Sequence, residues 1–131
     1  MQDRAAKSKR LLAAQQQLHR VEQWKLADLQ GRLAELNAAQ IDTISALNGS
    51  ELHGLFIEAT ARRLRSLAEE AQRVTLDKDK QSLKTSEHAG RVRAAERLAH
   101  ALQIELDREI ERKELMEIID QYLTNTRTSL P

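Results

Sequence analysis

Proline occurs once in these 131 residues, and it is the last of them, Pro131. Proline removes a backbone donor and clashes with the preceding helical turn, so its absence lets the chain run as helix almost without limit. Glycine, the other residue that weakens helices, stands only at Gly31, Gly49, Gly54 and Gly90. Ala, Leu, Glu, Lys and Arg fill 72 of the 131 positions, the composition of long helices and coiled coils when a matching period accompanies it. Val and Ile together number 10 and aromatic residues three, too few to build a sheet or to line an enclosed pocket.

The period is present. Leu26, Leu29, Leu33 and Leu36 step by three and four, the spacing of a coiled-coil seam. Upstream, Leu11, Ala14, Leu18 and Val21 form a stripe with the same steps. The five-residue gap between Val21 and Leu26 puts the two stripes out of register, a local change in winding. Further on, Ile57, Ala61, Leu64, Ala68 and Ala71 repeat the pattern, and Val92, Ala95, Ala99, Leu102, Leu106 and Ile110 resume it. Leu115, Ile118, Ile119 and Tyr122 close it.

Asn48-Gly49-Ser50 is the strongest punctuation. Asn and Gly end helices in the left-handed conformation, Ser50 can cap the next helix, and Glu51 suits its first turn. The expected fold is all-α: a single coiled-coil unit over 1–131, folded as a long antiparallel two-helix hairpin. Its expected parts are helix one over 4–47, a turn at 48–50, helix two over 51–123 and a frayed tail over 124–131. The alternative is a three-helix bundle, because the apolar signal thins over 75–91 and Ser86 and Gly90 could mark a break. Polarity matching favours the hairpin: that turn lays polar Gln15–Lys25 against Val74–Lys84, and apolar Leu26–Leu36 against Arg63–Arg73. Helices of those lengths span roughly 65 and 110 Å. Residues from about 96 onward then overhang helix one, with Leu98, Leu102, Leu106 and Ile110 as an exposed apolar stripe of the kind that marks a partner surface.

Charge excludes some functions. The formal net charge is +1, without the basic excess of a duplex binder, so no nucleic-acid partner is expected. The basic cluster Arg62, Arg63 and Arg65 lacks aromatic platforms beside it. The chain has no cysteine, and His19, His53, His88 and His100 show no ligand spacing. No metal, cofactor or catalytic site is therefore expected, and the chain reads as a non-enzyme. Glu105, Glu109, Glu111, Glu114 and Glu117 with Arg108, Arg112 and Lys113 read as a charged helix face with pairs such as Glu109–Lys113. Trp24 reads as packing in the seam. Among Leu55, Phe56 and Ile57, which cannot all face one partner helix, Phe56 is the residue expected to project. Neither a secretory signal nor a membrane span is visible, so the expected location is cytoplasmic, without direct membrane insertion.

The layout resembles the FliJ family of flagellar type III export stalk proteins and its injectisome relative YscO. The resemblance rests on size, on the Gln/Arg/Leu-rich helix KRLLAAQQQLHRVEQWKLADLQGRLAEL, and on Phe56-Ile57 opening helix two before a Leu/Ala/Arg seam. It implies a bacterial coiled-coil stalk or adaptor that engages the export ATPase, the export gate and export chaperones, peripheral to the membrane-bound apparatus. By that resemblance, ATPase contact falls on Lys7, Lys9, Arg10, Leu115, Ile119 and Tyr122. Gate contact falls on Phe56, Thr60, Arg63 and Leu67. A generic coiled-coil adaptor that homodimerises through the 96–123 stripe is the other reading.

Overall fold

A computed structural model describes residues 2–48 and 54–128, all of them helical. Helix α1 is Gln2–Asn48 and helix α2 is Gly54–Thr128. The two pack against each other as an all-α antiparallel hairpin. Beyond Asn48, the residues of the expected turn and cap (Gly49, Ser50 and Glu51), together with His53, lie outside the described residues.

Continuity of α2 through 75–91 decides between hairpin and bundle. The polar residues there need no break, because threonine hydroxyls fold back onto carbonyls of the preceding turn. Thr75 donates to Ala71 O at 2.8 Å and Thr85 to Gln81 O at 2.8 Å, the back-bonding by which threonine is accommodated inside a helix. Thr124 and Thr128 do the same with Asp120 O and Asn125 O, at 2.8 and 3.0 Å. Helix α2 accordingly runs to Thr128, past the end expected at residue 123.

The chain divides into two compact units, one of residues 17–89 and one of residues 1–16 with 90–131. Within the 17–89 unit, the inward positions of α1 are His19, Glu22, Leu26, Leu29, Leu33, Leu36, Gln40, Thr43 and Leu47. Every step is three or four. The inward positions of α2 are Thr60, Leu64, Leu67, Ala71, Val74, Lys78, Gln81, Thr85 and His88, again in strict heptad steps. Leu36, Leu67 and Val74 form the buried core, with Leu29, Leu33, Ala39 and Ala71 packed on it. Two cross-helix contacts fix the register: Glu22 meets Gln81, and Arg32 pairs with Glu70. Both lie about one helical turn further along α2 than the sequence suggested.

In the other unit, Ala5, Ser8 and Leu12 of α1 meet Val92, Ala95, Ala99, Leu102 and Leu106 of α2 at inward positions. Small residues dominate this contact, and Ser8 satisfies its buried hydroxyl by donating to Ala5 O at 2.8 Å. The expected overhang is corrected here. Gln2 and Asp3 lie against Leu106, Glu109, Ile110 and Lys113, so pairing continues well past residue 96. Leu102 is only 7% exposed and belongs to the seam, Leu106 is half-buried, and only Leu98 and Ile110 of the expected exposed stripe face outward.

Candidate partner-binding surfaces and the polar seam

The stripe expected at Leu11, Ala14, Leu18 and Val21 lies outside the seam: Leu11 is 45% and Leu18 50% exposed. The seam lies one residue further on, and its heptad steps bring Gln15, His19 and Glu22 to inward positions. In the 17–89 unit this produces a polar layer. The Gln81 amide donates to the Glu22 carboxylate and, at 3.2 Å, to the Glu22 backbone carbonyl. The Thr85 hydroxyl lies 3.3 Å from that same carbonyl. Lys25, one turn further along α1, approaches the carboxylate at 3.4 Å. The Gln81 hydrogen bond is the main cause that holds the Glu22 carboxyl below its ordinary pKa. Partial burial opposes it, and the charges of Lys25 and His88 assist. His19 Nδ1 and His88 Nδ1 are buried without a hydrogen-bond partner. The layer is a structural polar core, and among the described residues no group of three or more His, Asp or Glu is disposed to hold a metal.

The second surface is the end of α2. From Glu111 to Thr128 every residue is exposed. Leu115, Met116, Ile118, Ile119, Tyr122 and Leu123 are among them, with Tyr122 at 70%. The expected pair Glu109–Lys113 is present at 3.8 Å, on the helix just before this extension. Lys7, Lys9 and Arg10 are also exposed and share this unit. They do not join Leu115, Ile119 and Tyr122 in one patch. Lys7 borders a groove with Leu11, Leu98 and Leu102, and the 13 residues from Leu102 to Leu115 advance the helix by about 20 Å.

The third surface lies at the start of α2. Phe56, Thr60, Arg63 and Leu67 do share a face, but it is the face turned toward α1. Thr60 and Leu67 are buried in the seam, and Phe56, Thr60 and Arg63 border a groove with Ala39, Asp42, Thr43 and Ala46 of α1. Only Phe56 and Arg63 remain accessible from outside. Leu55, at 82% exposed, projects further than Phe56. Trp24 is exposed as well and takes no part in the seam.

No helix among the described residues is long and apolar enough to cross a membrane. The chain matches no family model, no curated protein and no solved structure.

Proposed function

We propose that the chain is a non-enzymatic coiled-coil adaptor whose working part is the extension of α2. The observation that carries this reading is the exposure of Leu115, Met116, Ile118, Ile119, Tyr122 and Leu123 together along the last turns of α2. An apolar face of that width is costly to leave in water and is ordinarily covered by another protein. Amphipathic helices dock this way, with anchors at helical spacing laid into a groove.

The finer reading places this adaptor in a type III export apparatus, flagellar or injectisome, as a stalk between the export ATPase and the export gate. It rests on the resemblance in size, helix-one sequence and hairpin layout. In this reading Leu115, Ile119 and Tyr122 are the apolar anchors on the ATPase, with Lys7, Lys9 and Arg10 at a separate basic site. Gate contact reduces to Phe56 and Arg63, because Thr60 and Leu67 are used by the hairpin itself. The protein acts in the cytoplasm, at the membrane-bound apparatus, and needs no cofactor.

The test is direct. Purified chain added to the export ATPase of the same organism should raise ATP hydrolysis, and the L115A/I119A/Y122A variant should lose that effect. An ATPase indifferent to the wild-type chain sinks the export reading, and leaves the adaptor reading to be pursued with other partners.

A further inference from the structure

The same unit carries a second heptad stripe, and it is exposed from end to end. On α2, Ala94, Leu98 and Ala101 lead into Glu105, Arg108 and Arg112, which lead into Leu115, Ile119 and Tyr122, every one of them facing outward. The steps alternate between four and three without interruption, as a coiled-coil seam requires. This stripe is distinct from the one that meets α1, which runs through Val92, Ala95, Ala99, Leu102 and Leu106. A single helix with two such seams is built to touch two neighbours, and α1 is only one of them.

We infer that the second neighbour is another copy of this chain, packed antiparallel through α2. The distribution of charge along the stripe selects this occupant. Apolar residues hold its two ends, and its middle reads Glu105, Arg108, Arg112. In an antiparallel pair centred between residues 106 and 107, Glu105 of each copy faces Arg108 of the other, so the central layers are opposite in sign. A parallel pair stacks Glu105 on Glu105 and Arg108 on Arg108, which like-charge repulsion disfavours. The same antiparallel register sets Leu98 against Leu115 and Ala94 against Ile119. Large side chains thereby meet a small residue or a leucine, and the bare extension of each copy lies on the paired part of the other.

Side-chain width agrees with this arrangement. Met116 and Leu123 flank the extension's stripe on the side that, in an antiparallel pair, turns toward Leu102 of the other copy. There they meet the groove bordered by Leu11, Leu98 and Leu102. That groove has a basic rim of Arg4 and Lys7, and Asp120 lies on the same side of the helix as Met116 and Leu123. Each extension thus covers both helices of the other copy, and its acidic flank meets the basic rim. The result is a closed two-fold assembly in which one patch serves both partners. The inference stands independently of the export reading. It implies that the free chain shields its extension in a dimer which a partner for that extension must displace.

Because the chain contains no cysteine, single-cysteine variants can carry spin labels without background. Asp107→Cys lies beside the two-fold centre and Thr124→Cys lies near the end of the extension. Full-length labelled protein should give a short interspin distance, under about 25 Å, for the first, and about 50 Å for the second, given the helical rise. Short distances at both positions mean a parallel pair and overturn the proposal. So does sedimentation equilibrium that shows monomer throughout the micromolar range. Glu105→Arg should weaken dimerisation by about tenfold or more, and adding Arg108→Glu in the same chain should restore it. Restoration is diagnostic, since it requires the two positions to face each other across the pair. Failure of the second change to restore the dimer, with helix content intact by circular dichroism, refutes the register.

Discussion

The placement of the α1 seam can be tested at two adjacent residues. Leucine at position 18 and histidine at position 19 compete for the inward site, and hydrophobicity alone would choose Leu18. The structure chooses His19, with Leu18 half exposed and His19 Nδ1 buried without a hydrogen-bond partner. Replacing such an orphaned polar group removes a penalty of about 1–3 kcal/mol. Leucine at that site also gains part of the ~1.5–3 kcal/mol that full burial of its side chain provides. Both terms are reduced because a two-helix seam leaves the residue half in water. His19→Leu should therefore stabilise the fold by about 1–2 kcal/mol, the net of terms from these ranges. Leu18→Gln should cost less than about 0.5 kcal/mol, as surface substitutions do. Urea unfolding followed by far-UV circular dichroism, at one fixed low protein concentration, measures both. If Leu18→Gln costs about 2 kcal/mol or more, the range for losing core leucine contacts, while His19→Leu destabilises, then Leu11, Ala14, Leu18 and Val21 are the true seam and the register given above is wrong.

Three further outcomes follow from the same geometry. Gly31 and Gly90 lie in helix interiors without positive φ. A Cβ at Gly31 meets nothing within 4 Å, and one at Gly90 meets only Arg93 at 3.9 Å. Each Gly→Ala change should raise stability by about 0.5–1 kcal/mol, and a loss at Gly90 would mean that α2 is not regular helix there. The Arg32–Glu70 pair joins α1 to α2 with Arg32 more than half exposed. A double-mutant cycle should give a coupling of about 0.2–1 kcal/mol that fades in high salt, whereas zero coupling would place these side chains apart in solution. The Glu22 carboxyl is held below its ordinary value, so its contribution is present above the unfolded pKa of about 4.3 and is lost as pH falls through the lowered folded value. Stability measured on the acid side should fall less steeply in Glu22→Gln than in the wild type, and identical slopes would remove Glu22 from the polar layer.

Much of the fold was legible in the sequence because helices announce themselves by what they lack. Without proline before residue 131, and with Leu26, Leu29, Leu33 and Leu36 in heptad steps, two long helices and their antiparallel pairing could be read directly. The seam was harder upstream of Leu26. There the inward positions are Gln15, His19 and Glu22, and an apolar stripe one residue away attracts a reading based on hydrophobicity. Carrying the three–four steps backward from Leu26 reaches those polar residues and then Leu12, Ser8 and Ala5, so the signal was present in spacing and masked by chemistry. The candidate surfaces were legible only in part at the end of α2, where the exposed stretch begins after Ile110 rather than near residue 96. They were not legible at Thr60 and Leu67. A helix face can be recognised from sequence, but the polar Thr60 and Arg63 gave no apolar signal that this face is the one α1 covers.

A polar layer in a seam lowers stability relative to leucine and restricts the ways the helices can pair. A slip of one heptad that brings Leu26 to Ala71 and Leu29 to Leu67 would still set apolar side chains against apolar ones. Glu22 would not tolerate it. Sliding α2 one heptad in one direction sets Glu22 against Val74, stripping the carboxylate of Gln81 and Thr85, which hold it and its backbone carbonyl. Sliding it the other way sets Gln81 against Leu29, burying an amide with nothing to receive it. The first slip strips Glu22 of its partners, and the second leaves the Gln81 amide buried and unpaired, at a cost of about 1–3 kcal/mol. The hydrophilic stretch of the 17–89 unit, rather than its leucines, thereby holds the two helices there in one register.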